Sequence, residues 1–447
     1  MPIAPRAPSR TRVALPLLLL AWLGLPGCGL FYKNSYEGPN FNLYSDRKPE
    51  FLAQVGAKVA RIYEGYESLF GLSPDCLGTT TIILRGDDSD VVDYGYAPSL
   101  LGYYIPLFNY ISIDTACVWT LEDKMLEQIL LHEVSHHFIA TEYSGASKEC
   151  WLNEGLAGAL EVTAFDEDSF EHPLLNPLLY QLARRVAYSE PDVLNLKEFL
   201  ALSWGQFHDK ATKERNYALA WSVVYFLLAM HLPQDKPLGE RIEELYHMDR
   251  AAIAALEKPW TAFLRGFDIT RALVALAHDP TAERQLTSRW ATTQVGNLKS
   301  LDDLQALEGL CGLFDDADNV KRGLAFLAFL RTLERTTQSF ILSQERVLAG
   351  VARLEEILQD PSEPAPLREA LAKAVGETVR TRRQWIPGLV SLLVDGDGVL
   401  RATAARTLSR IAPKPTRVNP AFWVSGPEAD RRSEVAEWRH WLASQDS

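Results

Sequence analysis

Cysteine, methionine and histidine are scarce in this chain of 447 residues, which holds five Cys, four Met and nine His. So few cysteines exclude a scaffold built on disulfides, and the fold must rest on an apolar core. A hydrophobic fraction of 47% supplies ample material for one. Basic residues are outnumbered, with 45 Lys and Arg against 58 Asp and Glu and a net charge of −13. That deficit argues against a nucleic-acid partner, whose phosphates need basic patches. It also gives no electrostatic attraction to anionic lipid. Long apolar runs are missing too. Residues 15–25 are too short a run for an ordinary membrane span, and residues 216–232 contain His231 and read as a buried helix. The length suggests two or three domains.

The first 27 residues differ from the rest. Arg6, Arg10 and Arg12 form a basic start, residues 15–25 an apolar run, and Leu25-Pro26-Gly27-Cys28 closes it. The pattern looks like a bacterial lipobox, in which Cys28 is acylated and becomes the mature N-terminus. A plain signal peptide or a short membrane anchor is the alternative. The expectation is an exported protein, held at the cell envelope by lipid on Cys28, with residues 28–40 as a tether. Removing residues 1–27 takes away three arginines and no acid, so the mature chain is more acidic still. An exported location permits disulfides. Cys76, Cys117, Cys150 and Cys311 allow three full pairings, between which sequence does not choose. Cys150 reads as a packing residue or a half-cystine.

Three of the scarce histidines fall within six residues. The stretch reads His132-Glu133-Val134-Ser135-His136-His137-Phe138, followed by Trp151-Leu152-Asn153-Glu154-Gly155-Leu156-Ala157. Residues four apart share one face of a helix. His132 and His136 can therefore bind one metal ion, with Glu133 facing the same cavity as a base. A hydrolytic zinc site takes three protein ligands and leaves one position for water. Glu154, eighteen positions after His136, becomes the third ligand if a second helix packs against the first.

Together the two halves resemble the gluzincin metallopeptidases, the peptidase MA-like group that includes thermolysin and aminopeptidase N. The resemblance covers residues 120–162 and rests on His132, Glu133, His136, Asn153, Glu154, Gly155 and Ala157, with Trp151 and Leu152 in front. It implies a thermolysin-like α+β domain, a small mixed sheet plus helices, with Zn2+ held by His132, His136 and Glu154 and with Glu133 as general base. It also implies a sheet-edge strand that pairs with an extended peptide, and residues 110–113 are placed there. In such enzymes a Tyr or His from the helical part stabilises the oxyanion. Tyr217, at the polar start of the apolar helix, is the candidate here. The spacing to the glutamate is one residue shorter than in aminopeptidase N, and no G-x-M-E-N motif precedes the zinc helix. Gly158 stands where thermolysin has the Asp that orients a zinc histidine, so that partner must come from elsewhere. Glu161 reads as a surface carboxylate, with orientation of a ligand as the alternative. His137 reads as a surface or hydrogen-bonded histidine.

Elsewhere the pattern predicts a short strand at residues 41–44, a helix over 48–70 ended by Gly71, a buried strand at 79–84 and a hairpin over 102–114. The acidic stretch 87–90 reads as a solvated loop. Thr120 and Asp123 offer a cap for the zinc helix. From about residue 296 the chain turns helical and repetitive. Asp316-Ala-Asp318-Asn-Val320-Lys-Arg322 recurs 79 residues later as Asp395-Gly-Asp397-Gly-Val399-Leu-Arg401, about two HEAT-type periods, with Arg368 marking a third unit. The motif lacks the rest of an EF-hand loop, so a helix-capping turn is expected there. The expected organisation is a peptidase domain over 41–290 and an all-α HEAT-like domain over 296–447, a kind of stack that binds protein partners. The function so read is zinc-dependent hydrolysis of a peptide or protein substrate. The alternative is a lipid-anchored scaffold with a structural or vestigial zinc site.

Overall fold

The computed structural model describes residues 32–86, 102–115, 124–143, 149–281, 284–298, 302–336, 341, 343–377, 382–412, 414 and 417–444. The lipobox with Cys28, the stretch 87–90, Cys117 and the cap at Thr120 and Asp123 lie outside these residues. The chain is α+β and divides into two compact units, one ending at Phe267 and the other starting at Asp268. The division falls ahead of the composition change near residue 296. No helix among the described residues is long and apolar enough to cross a membrane. Cys76, Cys150 and Cys311 are free thiols.

The first unit begins with strands β1 (Asn34–Glu37) and β2 (Phe41–Ser45). Alternation in β2 buries Phe41 and Leu43 on one side. Helix α1 (Pro49–Phe70) follows, with Pro49 at its first turn and Gly71 in the left-handed conformation at its end, φ 65°. Its inner face, Leu52, Val55, Val59, Ile62, Tyr63 and Tyr66, is buried; each fully buried aliphatic side chain there contributes about 1.5–3 kcal/mol. β3 (Thr80–Arg85) is β-branched and interior. β4 (Gly102–Ile105) turns through Pro106–Phe108 and Asn109, at φ 49°, into β5 (Tyr110–Asp114).

The five strands run β1-β2-β3-β5-β4, parallel in the two central pairs and antiparallel at both edges. Strand β5 thus lies between β3 and β4. The edge expected at residues 110–113 is instead β4. A hairpin puts one strand inside and one outside, and only pairing with the distant β3 decides which.

Of the helices in the rest of the unit, four frame the site: α2 (Lys124–Glu142), α3 (Cys150–Leu160), α4 (Pro177–Ser189) and α5 (Lys213–Phe226). Helices α3 and α5 approach closely because Gly155 has no side chain. A Cβ there would lie 2.5 Å from the Ala220 carbonyl oxygen. Every residue of α5 from Asn216 onward is buried, as the apolar run predicts, and a π-turn over Leu227–His231 ends it.

In the second unit all described elements are helices. Asp318 and Asp397, 79 residues apart, each cap the helix that follows, accepting from the amides of Val320 and Val399. These are the capping turns expected of the motif. Arginines, half-buried at Arg289 and buried at Arg322 and Arg368, then link successive turns. Arg289 pairs with Asp318, Arg322 with Glu363 and Arg368 with Asp395, at 2.6, 2.9 and 2.7 Å.

Candidate metal centre

His132 and His136 lie four residues apart on α2, and Glu154 is on α3, which packs against it. All three side chains are buried. The two imidazole Nε2 atoms are each 3.5 Å from the same atom, Glu154 Oε2. One candidate ligand atom from each residue lies within 4.8 Å of the others. Glu154 Oε2 has no hydrogen-bond partner. A buried carboxylate oxygen left unpaired costs at least about 1–3 kcal/mol, so these residues fit a cation and are poorly explained without one.

The far sides of both rings are fixed. His132 Nδ1 donates to Glu161 Oε2 at 2.7 Å, and His136 Nδ1 donates to Asn153 Oδ1 at 3.0 Å. Glu161 Oε1 in turn accepts from Asn176 Nδ2 at 2.6 Å, while Asn176 Oδ1 caps α4 through the amide of Leu179. Each imidazole therefore presents an Nε2 lone pair to one point. Glu161 is buried, not on the surface. It follows the last turn of α3, where helical position alone suggests exposure, but α4 covers it with Asn176. It gives His132 the hydrogen-bond partner that Gly158 cannot supply.

The electrostatics agree with the geometry. Burial would lower the pKa of His132, yet the Glu154 and Glu161 carboxylates outweigh it and raise it well above its ordinary value. Burial would likewise raise the Glu154 carboxyl, but the His136 and His132 imidazoles hold it well below the carboxylate range. The pocket is one in which positive charge is stabilised, whether a proton or a metal ion that displaces it.

These side chains open into a cavity of about 280 Å³. Glu133 faces it without belonging to the triad, its carboxyl raised by burial while His132 and His136 pull the other way. It packs on the edge strand at Gly102, where a Cβ would fall 2.6 Å from Glu133 Oε1. Compared with family models, curated proteins and solved structures, the chain matched none.

Tyr217, on the first turns of α5, lines the same cavity, with its ring stacked 6.3 Å from that of His132. Burial, and then the Glu154 and Glu133 carboxylates, push its hydroxyl pKa well up, so it stays a donor. Sequence reasoning missed His208. It follows the single helical turn Trp204–Phe207, which a Ser203–Gln206 capping box starts. Its Nε2 is buried without a hydrogen-bond partner, 3.6 Å from Glu154 Oε1. A lone His in a loop-rich stretch carries no spacing signal that could have singled it out. His137 points away from the triad; its Nδ1 meets the Tyr104 hydroxyl at 3.2 Å.

Proposed function

We propose that this protein is a zinc-dependent peptidase with a thermolysin-like first unit. The observation that carries the reading is the junction of three things. There is a buried His132–His136–Glu154 set with both Nδ1 atoms tied down, a cavity reaching it, and a second carboxylate, Glu133, beside that set and outside it. A structural zinc site would be closed by a fourth protein ligand, whereas here the ligand set faces a cavity.

His132, His136 and Glu154 would hold Zn2+, which when bound would supply Lewis acidity to a water and to the scissile carbonyl. Glu133 takes the proton of the attacking water on its carboxylate and delivers it to the leaving amine. Tyr217 Oη and His208 Nε2 donate to the carbonyl oxygen as it gains charge. The outer edge of β4, which no other described strand pairs, gives an extended peptide a row of main-chain partners. The reading extends to an exported chain anchored by lipid at Cys28, and to a HEAT-like second unit that offers a protein-binding stack.

The test is metal analysis of the purified chain, followed by digestion of a peptide library. Wild type is expected to hold one zinc and cleave. Glu133→Gln should keep the zinc and lose nearly all cleavage. Tyr217→Phe should lower kcat by roughly ten- to a thousandfold, the range for one lost donor. Zinc binding with no cleavage of any peptide would favour a scaffold with a structural site instead.

A further inference from the structure

The cavity in front of the triad has one cationic Lys or Arg side chain in its lining, Lys213. This residue opens α5 and is half-buried, with Nζ 5.3 Å above the Tyr217 ring. Among the described residues no carboxylate lies within the 4.0 Å of an ion pair with it, although Glu133 and Glu154 share its cavity. Lys58, Arg61, Arg215, Lys236 and Arg250 of the same unit each pair with an acid, and lysines without such a pair, Lys33, Lys48, Lys197, Lys210 and Lys258, are exposed to water, whereas Lys213 is half-buried. An ammonium drawn out of water against a ring recovers part of its hydration through the π-face, and here it meets the Glu133 charge only at long range, with no carboxylate of the described residues in contact. Its place at the first position of α5 adds the positive end of the helix dipole.

We propose that Lys213 is the specificity residue of this site and binds a carboxylate of the substrate. That group is either the C-terminal carboxylate of a peptide or an acidic side chain beside the scissile bond. The peptide part of this inference rests on the peptidase reading; the carboxylate part rests on Lys213 itself. The flanking aromatic side chains, Trp204 and Tyr103, are 58% and 43% exposed and offer apolar surface beside the charge.

Binding is measured by calorimetry on the full zinc-loaded chain carrying Glu133→Gln, so that no probe is consumed. The probes are three acetyl-capped peptide pools of equal length. One is amidated and free of acids, one has a free C-terminal carboxylate, and one is amidated with a single Glu at varied positions. One anionic pool should bind about tenfold tighter than the neutral pool or better, the scale of one charge-assisted contact, and which pool does so identifies the source. Adding Lys213→Met should abolish the preference, and Lys213→Arg should restore most of it. Equal binding of the three pools, no binding of either anionic pool, or a preference that survives Lys213→Met would each overturn the proposal. Digestion of the same pools by wild type separates the two readings. Carboxylate-selective binding without cleavage sinks the peptidase and leaves the anchor, whereas indiscriminate cleavage with equal affinities does the reverse.

Discussion

Gly102→Ala isolates the positioning of Glu133 from metal binding. The backbone at Gly102 lies outside the left-handed region, so alanine meets no backbone strain there. The new methyl would sit 2.6 Å from Glu133 Oε1 and 2.7 Å from its Cγ. Van der Waals contact needs about 3.5 Å, so the carboxylate must retreat by about 1 Å. A misplacement of that size in a reacting group costs on the order of a hundredfold in rate, about 2.7 kcal/mol. His132, His136 and Glu154 do not touch Gly102 in this way, so zinc content should stay at one per chain. The assay is kcat on a cleaved library peptide, with metal content and thermal midpoint measured on the same preparation. A cycle sharpens it: in a Glu133→Gln background, Gly102→Ala should cost almost nothing further, because the group it displaces is already disabled. A single variant with kcat within twofold of wild type would refute the reasoning, since a displaced base could not have kept the rate.

Glu161→Leu should weaken zinc affinity ten- to a hundredfold by freeing the His132 ring, measured by competition with a chelator; unchanged affinity would remove Glu161 from the site. His172 tests a pH effect away from the triad. Burial lowers its pKa to about 4, and it meets Thr163 Oγ1, which already donates to the Leu160 carbonyl. The unfolded chain takes up this proton near pH 6.5, before the folded one does. Stability should therefore be full above pH 6.5 and fall between pH 6.5 and 4, by about 2 kcal/mol after allowance for part exposure. His172→Gln should lose that much less between pH 7 and 4.5 in urea titrations, and an identical loss would contradict it. For the anchor, Cys28→Ser should move the protein out of the membrane fraction and abolish lipid labelling, whereas persistent labelling would rule the lipobox out.

What the sequence could show was local. The i, i+4 pair His132/His136 and the Glu154 that follows are a matter of helix period and one short connection, and the structure brings them together. The hairpin at 102–114 was legible for the same reason, as were the apolar α5 and the capping turns at Asp318 and Asp397. The misses are all products of distant packing. Whether β4 or β5 is the edge depends on β3, and whether Glu161 is wet depends on Asn176. His208 enters from a turn 54 residues beyond Glu154, and the close fit of Gly102 to Glu133 joins a strand to a helix 31 residues further on. No periodicity encodes such meetings.

The order in which the chain supplies the centre has a consequence for its assembly. All three candidate ligands and Glu133 are present by residue 154, but the clamp on His132 needs Asn176, and the cavity wall needs His208, Lys213 and Tyr217. The segment that ends with α3 therefore carries the side chains that could hold an ion, but not the wall formed by His208, Lys213 and Tyr217. The close approach of α5 to Gly155 is what brings that wall to the centre, so a side chain that held the two helices apart would open the chamber while leaving the His132–His136–Glu154 set in place.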